Sequence, residues 1–268
     1  MSSQRFLAFG LRFYVVIFFA YLFLPLIIMA AATFNDSRFP TVTPWDGTTL
    51  RWFGELAADR GMWQALGNSL IVAAGVLVVA VPIGIATALF LNTVTSRAKP
   101  FLYALILSPL LTPGVIIGIS TLIFWRQFGV SGGIFLTVLG QATFIAAYVM
   151  LMVTARLQRF DRTMERAALD LGASQWQMFR RILLPYLKPA LYSAAVIAFL
   201  QSFENYNTTL FVVGYDTTLT VYIASKVRTG LTPAVNALGL TLILITVLFA
   251  VVYELKRRRE AAQLVKGV

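Results

Sequence analysis

Six long apolar runs alternate with polar segments along the chain, at Tyr14–Phe34, Asn68–Leu91, Phe101–Trp125, Gly133–Ala155, Leu187–Val213 and Val235–Leu255. A helix that crosses a bilayer needs roughly 17–25 apolar residues, and each run is long enough. The pattern predicts an all-α polytopic membrane protein with six transmembrane helices in a single domain over residues 1–268. Pro25, Pro82, Pro109, Pro113 and Pro189 interrupt the runs, which membrane helices tolerate where neighbours satisfy the freed carbonyls. Small residues at Ala73–Gly75, Gly84–Ala88 and Gly114–Gly118 predict close helix packing. The first run is long, is flanked by Arg5 and Arg12, and precedes no small-residue cleavage signal. It reads as a retained anchor, not a cleaved leader.

The fifth run carries the most polar stretch of any span. Gln201, Glu204, Asn205 and Thr208 recur at i, i+3, i+4 and i+7 and so would share one face of a continuous helix. A carboxylate inside a span is costly and normally faces a partner or a pathway. Glu204 is therefore either a structural hydrogen-bonding partner or part of a path for a cationic solute. A whole polar stripe fits a water-filled path better than one buried pair would. Tyr206 and Asn207 lie nearby but off the stripe.

Between the fourth and fifth runs, residues 156–186 form the longest charged and polar connector. Thr163–Leu171 reads as a short helix, with Gly172 where a left-handed C-terminal cap belongs. Ser174 is placed as an N-cap with Gln177 as its capping-box partner. A second short helix follows from Gln175 to about Leu183, with Trp176, Phe179 and Ile182 at helical spacing, and Pro185 is expected to stop it. Spacing alone is compatible with an ordinary connector.

Composition agrees with the membrane assignment: 59% hydrophobic residues, 12% charged and a mean hydropathy of +0.79. The net charge of +11 is unevenly placed, with sixteen Lys and Arg on the side of both termini and the 156–186 connector and six on the other. This predicts cytoplasmic termini and a cytoplasmic connector, and needs no nucleic acid to explain the charge. Lys256–Arg259 fits a topology-fixing role, with binding of anionic membrane lipid as the alternative. Without Cys or His, the chain has no disulfide, no thiolate and neither of the commonest metal ligands. An intramembrane enzyme would need a nucleophile–base pair or metal ligands, and neither is present in the spans. On the outer side, Trp45, Trp52, Phe53 and Trp63 fit the membrane–water interface, with docking of a soluble partner as the second reading. Leu50–Leu66 is expected to be an amphipathic surface helix, and Tyr222–Thr229 a surface or re-entrant helix.

The connector also resembles the cytoplasmic loop of permease subunits of bacterial ABC importers, whose motif runs Glu-Ala-Ala, three residues, Gly, nine residues, Ile-x-Leu-Pro. Ala167, Ala168, Gly172, Ile182, Leu184 and Pro185 fall on that register. Arg166 departs from it at the glutamate position, with Glu165 one residue early. More widely the chain is similar to the permeases of spermidine/putrescine importers, through Phe34–Phe39, Leu50–Phe53, Asn68–Leu70, Phe160–Asp161, Leu171–Ser174 and Pro233–Ala237.

The resemblance implies a bacterial inner-membrane permease that pairs with a second permease, two cytoplasmic ATPase subunits and a periplasmic or lipid-anchored solute-binding protein. Glu165, Arg166, Ala167, Ala168, Asp170, Gly172, Ala173, Ile182, Leu184 and Pro185 would form the ATPase-coupling loop. A polyamine is the leading solute; an opine, a phosphonate or iron are alternatives within the class. The chain has no phosphate-binding Gly-Lys-Ser/Thr loop, so ATP would be bound and hydrolysed by a partner subunit, with no cofactor and no metal here. The rival is an ion-coupled secondary transporter, which would be expected to show an internal repeat, and none is visible.

Overall fold

The fourth apolar run becomes the most enclosed helix of the fold. A computed structural model describes residues 2–230 and 232–266, with the side chains of residues 2–8 and 256–266 left undescribed. Arg5 and the Lys256–Arg259 cluster therefore lie outside the described side chains. Among the described residues no strand forms. The helices are α1 (Ser2–Thr33), α2 (Arg51–Ala58), α3 (Arg60–Thr93), α4 (Lys99–Leu111), α5 (Gly114–Arg126), α6 (Ile134–Leu157), α7 (Arg162–Asp170), α8 (Gln175–Met178), α9 (Leu184–Phe203), α10 (Thr209–Val212), α11 (Leu219–Thr229) and α12 (Pro233–Lys266). They fall into two units, one made of residues up to Arg60 and from Ile223 on, the other of Gly61–Tyr222.

In the 61–222 unit, α6 packs against α3 and α9. Val72, Val76, Ala80 and Leu91 of α3 meet Val138, Ile145, Val149 and Val153 of α6, and Leu187, Ala194 and Ala198 of α9 complete the core. Lipid tails are as apolar as these side chains, so close packing holds such helices together. Small residues permit it: a Cβ added at Gly84 would come within 2.7 Å of the Ala146 carbonyl oxygen.

Among the described residues five helices are long and apolar enough to cross a membrane, and a sixth span exists if α4 and α5 count as one. That pair corrects the expected continuous third span, because it bends by 101° between Leu111 and Gly114. Thr112 is extended (φ −85°, ψ 130°), as the residue before a proline prefers, and Pro113 starts a new helix by accepting from Ile116 N and Ile117 N.

The fifth run needs two corrections. Pro185 does not stop the helix before it: α8 passes through a π-helical turn, Phe179–Leu183, directly into α9. The turn widens the helix just where the proline ring would crowd the Arg181 carbonyl, and Leu184 N–H donates five residues back to Phe179 O. The second correction lies at the far end, where the expected 187–213 helix breaks after Phe203 and restarts at Thr209.

In the other unit α1 packs against α12, and α12 against α2. Asn35 organises the segment between α1 and α2: its amide donates to Thr41 O and Pro44 O and accepts from Asp46 N, each at 2.9 Å. Trp52 is not an interfacial aromatic, being 5% exposed with its indole N–H on Asn35 O at 2.9 Å. Trp45 and Trp63 are exposed. The surface helix expected over 50–66 is interrupted at Asp59, whose extended backbone (ψ 99°) caps α2 before α3 begins.

Candidate functional site

The break in the fifth span is built from side chains that reach across the fold. Asn205 Oδ1 accepts from Thr208 N and Thr209 N at 3.2 Å each and from Thr209 Oγ1 at 3.1 Å. Asparagine competes with helix by capping the segment after it in this way. Gln141 of α6, 1% exposed, donates from Nε2 to Thr209 Oγ1 at 2.8 Å and accepts the Ser202 hydroxyl. Thr220 Oγ1 donates to Asn205 O at 2.9 Å. A network tied at both ends fixes the break, since each buried member would be costly to leave unpaired.

α5 lies directly against the break. A Cβ at Gly118 would stand 2.6 Å from Thr208 O, so only glycine lets the two backbones approach this closely. Between them opens a cavity of about 320 Å³, lined by Pro109, Leu110 and Thr112 of the α4 end, Gly114 and Ile117 of α5, Phe144 and Tyr148 of α6, and Gln201 and residues 204–208 of the break. Its volume is at the lower end for small-molecule sites.

The four stripe residues thus line one cavity, but not as one helix face. Gln201 is half-buried in the last turn of α9. Glu204 is its C-cap: the N–H donates to Leu200 O at 3.0 Å, and the carboxylate is exposed with no ion pair or hydrogen bond among the described residues. Asn205 spends its carbonyl oxygen on holding the break. Thr208 is buried, and its hydroxyl has no partner among the described residues. Tyr206 and Asn207, expected off the stripe, line the cavity because the chain leaves the helix there. Gln141, Ser202 and Thr209 were not singled out from the sequence; a buried Gln within an apolar run is the signal that points to such a network.

The 156–186 connector follows local rules closely. Asp161 caps α7 by accepting from Thr163 N at 2.8 Å. That backbone N–H, and then the Thr163 side chain, hold the Asp161 carboxyl below the usual carboxylate range. Gly172, at φ +83°, ends α7 in the expected left-handed cap, with Gly172 N on Leu169 O and Ala173 N on Ala168 O. Ser174 and Gln177 form the expected capping box, at 2.9 and 3.2 Å.

Met178 and Leu183 anchor the connector in the core, while Leu171 (89% exposed) and Trp176 (65% exposed, stacked on Phe179) face outward. Among the expected coupling residues, Arg166, Ala167, Asp170, Gly172 and Pro185 are exposed and Glu165, Ala168, Ala173, Ile182 and Leu184 half-buried. Arg166 makes no ion pair among the described residues. The two ends of the connector are clasped: the Arg156 guanidinium lies 4.1 Å from the Tyr186 ring centroid, its Nε donates to Tyr186 O, and Tyr186 OH donates to Arg156 O.

The profile of the family described as binding-protein-dependent transport system inner membrane component matches residues 80–260, which include the break, its cavity and the whole connector. The chain belongs to this family. It is an ABC importer permease, a multi-pass protein of the bacterial inner membrane. The permease is 33% identical over 242 residues, 90% of each chain, to the spermidine/putrescine transport system permease protein PotC of Escherichia coli (strain K12). It is 36% identical over 234 residues, 84% of this chain and 82% of the relative, to the putrescine transport system permease protein PotI of the same organism. Among solved structures it is similar in fold to a chain of a bacterial ABC transporter that imports the acidic polysaccharide alginate, with a TM-score of 0.71 at 16% identity, covering 95% of this chain and 98% of that one. A chain of the alginate transporter bound to its pentasaccharide-loaded periplasmic protein gives 0.69 at 20% identity, covering 92% and 93%.

Proposed function

We propose that the permease carries a polyamine, and that the cavity at the broken fifth span is part of its path. The observation that carries this reading is Glu204, an exposed carboxylate without a cation partner among the described residues, set at the C-cap of α9 on a small cavity. A helix C-terminus bears about half a negative charge, so a carboxylate there is disfavoured unless a cation answers it. An alkylammonium solute would meet the carboxylate, the carbonyl end of α9 and the amides of Gln201 and Asn207 together. Broken helices whose carbonyl ends face cations are a recurring device of membrane transport. The similarity to PotC and PotI supports the same solute class.

In this account a second permease completes the path and a binding protein delivers the solute. Two ATPase subunits bind and hydrolyse ATP, and this chain performs no hydrolysis and holds no cofactor. Both termini and the connector face the cytoplasm, where the exposed Leu171, Trp176 and Met164 offer an apolar face to an ATPase groove. ATP-driven closure moves that connector. The π-turn passes the motion into α9 without a joint, and the break at Glu204 is where the helix yields.

Uptake of labelled putrescine and spermidine by the full complex, reconstituted with its binding protein and ATPase, tests the reading. Saturable, ATP-dependent uptake of either is expected. Intact binding-protein-stimulated ATP hydrolysis without polyamine uptake would overturn the solute and direct the search to opines, phosphonates or iron.

A further inference from the structure

A second cavity, of about 380 Å³, lies between the end of α6 and the start of α9 and shares no residue with the first. Met152, Ala155, Pro189 and Ala190 give it an apolar floor, Ser193 a hydroxyl, and Arg156 and Arg159 its charge. No carboxylate lines it, and neither arginine has an ion pair among the described residues. Two guanidinium groups beside an apolar floor, with nothing to neutralise them, ask for an anion.

The arrangement is prepared for one. Arg156 is half-buried, stacked on Tyr186 and fixed through Nε to Tyr186 O, which orients its fork before any ligand arrives. Arg159 is one turn further along and exposed, so it can close on the same group. Planar arginine forks match phosphate oxygens in paired hydrogen bonds, better than a lysine point charge does. The cavity also sits where the apolar run of α6 ends and that of α9 begins, the level at which a span is expected to meet phospholipid headgroups, and basic pockets at such a level bind them.

We propose that this cavity is a binding site for a phosphate anion, held by Arg156 and Arg159, at the base of the coupling loop. The phosphate is supplied by an anionic phospholipid headgroup or by a soluble phosphate compound. The site joins the residues at which the 156–186 connector leaves α6 and enters α9. Its occupancy therefore stiffens that clasp and raises the fraction of ATP hydrolysis coupled to transport.

The full importer complex, in nanodiscs of phosphatidylcholine with or without phosphatidylglycerol, is compared with Arg159→Gln and Arg156→Lys complexes. Native mass spectrometry reads the phosphatidylglycerol retained, and binding-protein-stimulated ATP hydrolysis per solute transported reads the coupling. The Arg159 side chain makes no hydrogen bond or ion pair among the described residues, and its backbone N–H on Arg156 O is kept in Arg159→Gln, so the variant folds as the parent does. Arg12→Gln, remote from the cavity in sequence, controls for general surface charge. A parallel arm titrates the detergent-solubilised complex with inorganic phosphate and glycerol 3-phosphate.

At least threefold lower lipid retention in Arg159→Gln than in Arg12→Gln, with poorer coupling, supports a lipid-occupied site. Saturable binding of a soluble phosphate that Arg159→Gln loses supports the soluble source. Equal retention across all variants together with no response to soluble phosphate would overturn the site.

Discussion

The two ends of α9 depart from regular helix in opposite ways. At its start, a π-turn absorbs Pro185 and keeps the chain helical from Gln175 to Phe203. At its end, no proline or glycine stands between Phe203 and Thr209, and yet the helix breaks. A breaker by residue type is tolerated, and a break without one is imposed. The difference is where the backbone groups find partners. Near Pro185 they find them one residue further along the same helix. At Glu204–Thr208 they find them on Asn205 and, through Thr209, on Gln141 of another helix. The first departure keeps one continuous helix between the connector and the span, and the second opens a cavity, which in the proposed function transmit motion and hold solute respectively.

Removing the tertiary cause of the break should have the largest effect. Gly118→Val places side-chain atoms against Thr208 O and should abolish uptake while the chain still inserts, measured as transport per complex in proteoliposomes. Retained uptake would mean that α5 does not support the break.

Gly172→Pro acts at the other region. It forces φ from +83° to about −65° and deletes the N–H that donates to Leu169 O. ATP hydrolysis should continue with solute transport reduced at least tenfold; normal coupled uptake would remove the connector from the mechanism.

Gln141→Leu is milder. Ser202 loses its acceptor and Thr209 one donor, a cost of about 1–3 kcal/mol. A thermal midpoint several degrees lower is expected, and an unchanged midpoint would show that Asn205 alone holds the break.

The smallest effect is at Asp161. Its carboxyl titrates below its unfolded value because the charged form caps α7. The cap's contribution is therefore complete above the unfolded carboxylate range and is lost as pH falls through the lowered folded value. The protection of the Thr163 amide, its hydrogen-exchange rate taken relative to the intrinsic rate at each pH, should fall on acidification in the parent and stay flat with pH in Asp161→Asn, which keeps an acceptor.

The same contrast explains what could be read from the sequence. The apolar runs, the Gly172 cap and the Ser174–Gln177 box were legible because they rest on residues within one turn of each other. The 101° bend at Thr112–Pro113, the passage through Pro185, the burial of Trp52 and the break at Glu204 were not. Each depends on which distant group answers a carbonyl, an indole or a hydroxyl. Gln201, Glu204, Asn205 and Thr208 were selected for a periodicity that the chain does not use. They share a cavity because the helix ends among them, which also brings in Tyr206 and Asn207.

The central claim is that Glu204 at the broken helix recognises a cationic solute. Uptake kinetics of labelled putrescine by the reconstituted complex, parent against Glu204→Gln, test it most directly. The account predicts a KM raised about tenfold or more, with assembly and binding-protein-stimulated ATP hydrolysis retained. Identical KM and kcat in the two complexes would contradict it and leave Glu204 as a structural cap.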